Sequence, residues 1–139
     1  MLLQLIGTQL AKYLTKEHLY EDHYFRISID DIKSALEPGD VVLVEGQSRI
    51  SNAIQFITNS NWSHAAIFIG EAGSLSHCLI EVKAVDGCKF TDIDFYMHHN
   101  LSICRPVFLN NKKRKILIDY LVKKIGSKYD LKNIIDLIR

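Results

Sequence analysis

The chain has 139 residues, a formal net charge of +1, six histidines and three cysteines. Hydrophobic residues make up 47% of the sequence and charged residues 24%, ordinary values for a folded globular protein that argue against bulk disorder. The length predicts one domain with one core, and the nearly neutral charge predicts no nucleic-acid partner.

The first predicted element is an amphipathic helix within residues 1–24. Apolar side chains recur at helical spacing, among them Leu2, Ile6, Leu10 and Leu14. Packing of this helix against the domain is the preferred interpretation, and contact with a membrane surface or a partner is the alternative. The segment lacks a basic start and a cleavage site, and no apolar run in the sequence reaches the roughly 18 residues of a membrane span. A cytoplasmic protein is therefore expected.

Strand patterns and short helices alternate after this segment. A helical turn opens at Asp30 and ends at Pro38-Gly39, and a second helix follows the N-cap Ser48. Strands are predicted at residues 40–44, 62–69, 77–85, 89–93 and 101–105.

Two more helices are predicted after the last strand. Asn110 caps the first and Gly126 ends it, while Asp130 caps the second, over residues 130–139. That helix stops in mid-pattern, which suggests that the native protein or its gene continues. Its apolar stripe would otherwise invite self-association or docking of a C-terminal fragment. In the helix capped by Asn110, the side chains predicted to face inward are Ile116, Leu117, Tyr120, Leu121 and Ile125.

His64 lies where a reactive side chain could meet a substrate. It begins the second predicted strand, and strand alternation places it on one face with Ala66 and Phe68. The small Ala65 and Ala66 leave room beside the imidazole for a substrate or a second side chain. Taken alone, however, a histidine in a strand is more often structural than catalytic.

Glu81, on the next predicted strand, strengthens the catalytic interpretation. If the two strands pair antiparallel, His64 falls opposite Glu81 to within two residues. Opposed side chains are close enough for a hydrogen bond between imidazole and carboxylate, and an unpaired carboxylate in this apolar strand would be costly to bury. Such a pair can orient a catalytic imidazole, or it can simply hold the hairpin together.

An ordered set of segments now points to a family. GDVVLVEG, SRISNAIQFITNS, WSHAAIFIG and LIEVKAVDG resemble the circularly permuted branch of the NlpC-type papain-like cysteine hydrolases, the YiiX- or YebB-like group. The resemblance covers residues 38–139. It implies an α+β fold with a small antiparallel sheet or partial barrel flanked by helices, His64 as general base and Glu81 as orienting carboxylate. IGSKYDLKN is similar to the segment just before that group's nucleophilic cysteine, which this sequence does not reach.

The three cysteines of the chain are predicted to be structural. Cys78, Cys88 and Cys104 have no CxxC spacing and form no even disulfide framework. None has an evident helix N-terminus or cation beside it that would stabilise a thiolate. We expect all three to be reduced and buried, and we expect the nucleophile to lie outside these 139 residues.

The sequence therefore favours a hydrolase that cleaves amide or ester bonds of a small peptide or an acyl lipid by a Cys-His-Glu mechanism, with no metal or cofactor. A truncated, catalytically inactive chain or a binding module of the same fold is the alternative, supported by the missing nucleophile. A weaker third interpretation is membrane-surface contact through the N-terminal helix and the basic run at 112–115.

Three further residues are candidates for substrate binding. Trp62 and Tyr129 could form walls of the cleft, although packing in the core explains them equally well. Asp40 could form hydrogen bonds near the site, but a structural use in capping the first strand is the stronger interpretation.

Overall fold

The computed structural model describes residues 27–128, residue 9 and residues 12–16. Its centre is an antiparallel sheet of five strands that does not close into a barrel, which confirms the α+β class. The strands are β1 (Val41–Val44), β2 (His64–Ala72), β3 (Leu75–Lys83), β4 (Gly87–Asp92) and β5 (Leu101–Cys104). The helices are α1 (Ile29–Ala35), α2 (Arg49–Thr58) and α3 (Asn111–Val122), with a 3-10 turn at Ile93–Tyr96. The strand order is β4-β3-β2-β1-β5.

Side-chain caps set the starts of the helices. The Ser48 hydroxyl accepts a hydrogen bond from the backbone N–H of Ser51 at 3.1 Å, which confirms the prediction that Ser48 is the N-cap of α2. Asn110 caps α3 in the same way through the N–H of Lys113. Helix α1 begins at Ile29, one residue before the predicted start at Asp30, and Ser28 is its N-cap.

The two faces of the sheet have different surroundings. Val42 pairs with Ala66, and Ala66 pairs with Glu81, so these side chains share one face, which we call the core face. The other face, which we call the outer face, carries Val41 and Ile67. The core face packs against α1 and the 3-10 turn, and its buried cluster consists of Ile32, Val42, Val44, Ala66, Phe68, Leu79, Ile93 and Tyr96.

Helix α3 covers only part of the outer face. Leu121 and Tyr120 border a groove with Ile67 and Ile80 of the sheet, but Ile116 is 60% and Tyr120 57% exposed. The prediction that both face inward is therefore wrong. Ile116 and Tyr120 lie on one edge of the apolar side of this helix, and the half-buried Leu117 and Leu121 lie on the other edge. Ile125, the fifth of these residues, lies beyond Val122, where the helix ends.

The chain returns to β4 after α3. The N–H of Gly126 donates to the carbonyl of Cys88, and the N–H of Cys88 donates to the carbonyl of Ser127, both at 2.8 Å. Gly87, with φ of +74°, lies under this contact, and an added Cβ would come within 2.3 Å of the Ser127 carbonyl oxygen. Only glycine fits there without moving the returning chain.

An ion-pair cluster ties the start of β1 to the end of β5. Asp40 is buried, and its two carboxylate oxygens accept hydrogen bonds from Nε and Nη2 of Arg105 at 3.0 and 2.9 Å. The backbone N–H of Glu37 donates to the same carboxylate at 2.8 Å. Burial tends to raise the pKa of Asp40, but the hydrogen bonds from Arg105 and Glu37 outweigh it, so the pKa lies below its usual value.

Two predicted helices lie largely or wholly outside the described residues. In the predicted helix of residues 1–24, residue 9 and residues 12–15 are helical. The predicted helix at 130–139 falls outside the described part of the chain. Among the described residues, no helix combines the length and apolar character that crossing a bilayer requires.

Candidate active site

The predicted contact between His64 and Glu81 is present in the structure. His64 is the first residue of β2, and its Nε2 lies 2.6 Å from Oε2 of Glu81 on β3. Glu81 pairs directly with Ala66, so the two side chains meet diagonally across the core face, two residues from direct opposition. The imidazole is 26% exposed, whereas the carboxylate is completely buried. The buried carboxylate therefore holds the imidazole in place, and part of the ring remains exposed to solvent.

Three further groups converge on the Glu81 carboxylate. The Thr91 hydroxyl donates to Oε1, and the Tyr96 hydroxyl donates to the same Oε2 that His64 contacts. The ammonium group of Lys83 lies 3.5 Å from Oε1. Both carboxylate oxygens are thus satisfied inside the protein, as a buried charge requires.

These contacts determine the charge of Glu81. Burial alone would raise its pKa, but the hydrogen bonds from His64, Thr91 and Tyr96 and the charge of Lys83 together lower the pKa to about 2. The carboxylate is therefore ionised at neutral pH. An ionised carboxylate on Nε2 favours the neutral tautomer that carries its proton there, which leaves the lone pair on Nδ1.

Aromatic rings surround this network. The ring centroids of His64 and Tyr96 are 6.3 Å apart. The rings of Tyr96 and His99 meet edge to face, with their centroids 5.4 Å apart. The ammonium group of Lys83 lies 4.1 Å from the centroid of Phe95, a cation–π contact. Lys83 and Tyr96 therefore each contact an aromatic ring in addition to the Glu81 carboxylate.

The His64 imidazole opens into a cleft of about 370 Å³. One wall comes from the start of α2 and the loop before it, including Gly46, Ser48 and Ser51. Gly46 packs so tightly there that an added Cβ would lie 2.3 Å from the Ser51 hydroxyl. The remaining lining residues are Thr15, Val44, Ile50, Ile54, Ser63, Val82, Lys83, Ala84, Val85, Asp86, Phe95, Tyr96 and His99.

All three cysteines lie on the face opposite His64. Cys104 pairs with Val41, and Cys88 pairs with Val82, which places both side chains on the outer face. Cys78 shares that face, two residues from Ile80 on the same strand. His64 pairs with Val44 on the core face. The sheet therefore lies between Cys78 and Cys104 and the contact of His64 with Glu81. Cys88 is buried on the outer face, where it borders the same groove as His64.

The burial prediction holds for two of the cysteines and is wrong for the third. Cys78 and Cys88 are buried, and burial raises the pKa of both thiols. Cys104 is exposed. It is the last residue of the outermost strand β5 and points away from the core, where none of the described strands and helices covers it.

Alkylation of the native chain with iodoacetamide tests this arrangement. We expect Cys104 to react readily, and Cys78 and Cys88 to react only on unfolding, because their thiols are buried and mostly protonated at neutral pH. The rate at Cys104 should be the same in His64→Ala. A slower rate in that variant would mean that the imidazole activates this thiol, in conflict with their positions on opposite faces. Mass spectrometry of the labelled peptides assigns each site.

Neither Asp40 nor Trp62, two of the three predicted substrate-binding residues, borders the His64 cleft. Asp40 lies at the other end of β1, in its ion pair with Arg105. Trp62 borders a smaller pocket of about 250 Å³ together with Glu45 and Asn100 rather than the cleft. Tyr129 lies outside the described residues.

The sequence patterns did not reveal the groups that support Glu81. Thr91 could have been found by strand alternation, because it lies on β4 two residues beyond Lys89, the direct partner of Glu81. Lys83 lies two residues beyond Glu81 on its own strand. Tyr96 carries no periodic signal, since it belongs to the 3-10 turn that folds back over the core face.

The chain matches a known family over most of its length. The model of the family described as permuted papain-like amidase enzyme, YaeF/YiiX, C92 family, matches residues 35–136. None of the curated proteins matches the sequence. The match includes His64, Glu81 and the three groups that bind Glu81. The chain therefore belongs to the permuted papain-like amidase family, YaeF/YiiX, C92.

Proposed function

We propose that this chain provides the general base and the orienting carboxylate of a cysteine hydrolase that cleaves amide or ester bonds. The observation that carries the proposal is the 2.6 Å hydrogen bond between Nε2 of His64 and the buried Glu81, at the base of a cleft. Membership of a family of papain-like amidases supports the reaction class. His64 acts as base and Glu81 fixes its tautomer.

The proposed chemistry follows from the two nitrogens of the ring. The N–H of Nε2 donates a hydrogen bond to the ionised Glu81 and keeps its proton. Nδ1 therefore accepts the proton of a thiol while the sulfur attacks the substrate carbonyl carbon. The protonated Nδ1 then gives that proton to the departing amine or alcohol as the bond breaks, leaving a thioester. A water molecule attacks the thioester, its proton passes to Nδ1, and the thiol recovers it on release.

The thiol must come from a residue other than the three cysteines described above. Their side chains project from the face of the sheet opposite the contact of His64 with Glu81. Burial also raises the pKa of the Cys78 and Cys88 thiols. The resemblance of IGSKYDLKN to the segment before the family's nucleophile indicates where in the sequence that thiol follows. A thiol there would complete the set of thiol, imidazole and carboxylate.

The substrate we propose is a small peptide or an acyl lipid. The cleft beside His64 combines apolar side chains, such as Ile50, Ile54 and Phe95, with the hydroxyls of Ser48 and Ser51. Apolar walls with a few polar groups suit an uncharged acyl or aminoacyl portion next to a carbonyl. The two charged side chains of the lining, Lys83 and Asp86, have opposite signs, so the cleft offers no net charge that would select a strongly charged substrate group.

The test compares this chain with the product of the complete reading frame that contains it, on p-nitrophenyl esters and peptide p-nitroanilides. We expect turnover by the longer product, a loss of at least about a thousandfold in His64→Ala, and no turnover by this chain alone. Equal, His64-dependent turnover by both would place the nucleophile within this chain and overturn the mechanism. A reading frame that ends at codon 139 would overturn the hydrolase proposal.

A binding module of the same fold is the second candidate function. It is favoured by the positions of Cys78, Cys88 and Cys104, whose side chains project from the sheet face opposite the contact of His64 with Glu81. Under this alternative, a His64→Ala variant of the longer product would bind a peptide or acyl ligand as the parent does, and neither protein would turn it over.

A further inference from the structure

Three serine side chains line the cleft into which the His64 imidazole opens. Ser48 and Ser51 lie at the start of α2, and Ser63 directly precedes His64 in the chain. Ser48 is 5% and Ser51 9% exposed, and Ser63 is half-buried. Three hydroxyl groups therefore share one cleft with the proposed general base, and polar groups at such depth need hydrogen-bond partners.

The hydrogen bonds of these serines leave two hydroxyl protons without an acceptor among the described residues. The Oγ atoms of Ser48 and Ser51 are 2.7 Å apart, so one hydroxyl donates to the other. This contact uses one of the two protons, whichever hydroxyl is the donor, and the second proton remains. The Ser63 oxygen accepts the backbone N–H of Gly46 at 3.1 Å, and no described residue accepts the Ser63 proton. The wall can therefore donate two hydrogen bonds to a ligand.

Gly46 shows how close the two donors are to each other. A Cβ added to Gly46 would lie 2.3 Å from Oγ of Ser51 and 2.7 Å from Oγ of Ser63. The two hydroxyl oxygens are therefore at most about 5 Å apart. One acceptor atom can be about 2.8 Å from both, the usual O–H···O length, when the two donors are less than about 5.6 Å apart. Both donors can thus bind the same acceptor atom in the cleft.

Helix capping explains Ser48 but leaves the Ser51 hydroxyl without a structural task. The cap uses the Ser48 oxygen and the backbone N–H of Ser51, which are 3.1 Å apart. The Ser51 hydroxyl contributes nothing to that bond, although it is held in place by its contact with the Ser48 hydroxyl. When Ser48 donates to Ser51, the Ser51 proton is the one available to a ligand.

We propose that the hydroxyls of Ser51 and Ser63 form the oxyanion hole of the cleft and that Ser48 positions Ser51. This inference rests on the proposed hydrolase function. As the thiol sulfur bonds to the substrate carbonyl carbon, the electron pair of the C=O π bond moves to the oxygen, which accepts both hydrogen bonds. Neither serine gives up its proton. The pair returns to re-form C=O as the bond to the leaving group breaks and His64 Nδ1 protonates that group.

The kinetics of two alanine variants of the complete reading-frame product test this assignment. On p-nitrophenyl esters and peptide p-nitroanilides, we expect Ser51→Ala and Ser63→Ala each to lower kcat on the order of a hundredfold, with little change in KM. The matched control is Thr58→Ala, which removes a hydroxyl from the same helix outside the cleft and should leave kcat unchanged. Urea midpoints check that every variant is folded.

Inhibition by a peptide aldehyde provides a second measurement. The thiol adds to the aldehyde, and the oxygen of the resulting hemithioacetal takes the position of the oxyanion, so the inhibition constant should rise in both serine variants and not in Thr58→Ala. An active parent whose folded serine variants keep kcat, or lose only KM, would overturn the assignment and leave the proposed function standing. A parent without turnover would overturn the proposed function and the assignment together.

Discussion

The free energy of unfolding is expected to fall by about 3 kcal/mol between pH 4.5 and pH 2 because of Glu81 alone. The pKa of this carboxyl is about 2 in the folded chain, against 4.5 for an ordinary glutamate. Above pH 4.5 the carboxyl is ionised in both the folded and the unfolded state, and its full contribution to stability is present. As the pH falls, the unfolded chain takes up the proton first, so stability is lost until the folded state is protonated as well.

Glu81→Gln provides the control for this pH dependence. The variant keeps the shape of the side chain but cannot titrate, so its stability should lack this component of the fall. Urea unfolding at a series of pH values measures both proteins. We expect the stability difference between them to be largest above pH 4.5 and to shrink toward pH 2. A constant difference across this range would show that the folded-state pKa of Glu81 is not lowered.

Arg105→Ala is expected to destabilise the fold more than Asp40→Ala does, although the two variants break the same ion pair. Removing Arg105 leaves the carboxylate of Asp40, which is 1% exposed, without its guanidinium. Removing Asp40 leaves an arginine side chain that is 46% exposed and can be hydrated. Arg105→Ala should lower the free energy of unfolding by about 2 kcal/mol, because it leaves the buried carboxylate without its ion pair. This is less than the usual cost of a buried unpaired charge, since solvent already screens the arginine.

Glu37→Gln serves as the matched control for that comparison. Glu37 contacts Nη1 of Arg105 at 2.9 Å, but its side chain is half exposed, so its loss should change stability by well under 1 kcal/mol. Urea midpoints of the three variants give the ranking. If Asp40→Ala proved the more damaging substitution, the hydrogen bond from the backbone N–H of Glu37 would stabilise the carboxylate more than Arg105 does, and the expected ranking would be wrong.

The part of the site that could be predicted from sequence depends on local rules. Alternation along β2 and β3 and the short turn between them determine which side chains meet, so the amino-acid sequence alone is enough to pair His64 with Glu81. The helix caps Ser48 and Asn110 follow from side-chain chemistry within three residues.

The rest depends on contacts between distant parts of the chain. Asp40 and Arg105 are 65 residues apart in the sequence, and they form their ion pair because strand β5 lies next to β1. The same strand order makes Cys104 exposed. Tyr96 reaches Glu81 because the 3-10 turn crosses the core face, which no periodicity in the sequence encodes.

The return of the chain to β4 has a consequence for association. An outermost strand offers unpaired N–H and carbonyl groups to any other extended chain, and proteins must block this template to avoid edge-to-edge aggregation. Here residues 126 and 127 occupy the hydrogen-bonding groups of Cys88, and they can do so because Gly87 leaves room for the Ser127 carbonyl. A larger residue at position 87 would therefore do more than strain one turn. It would free this side of the sheet to recruit a strand from another molecule.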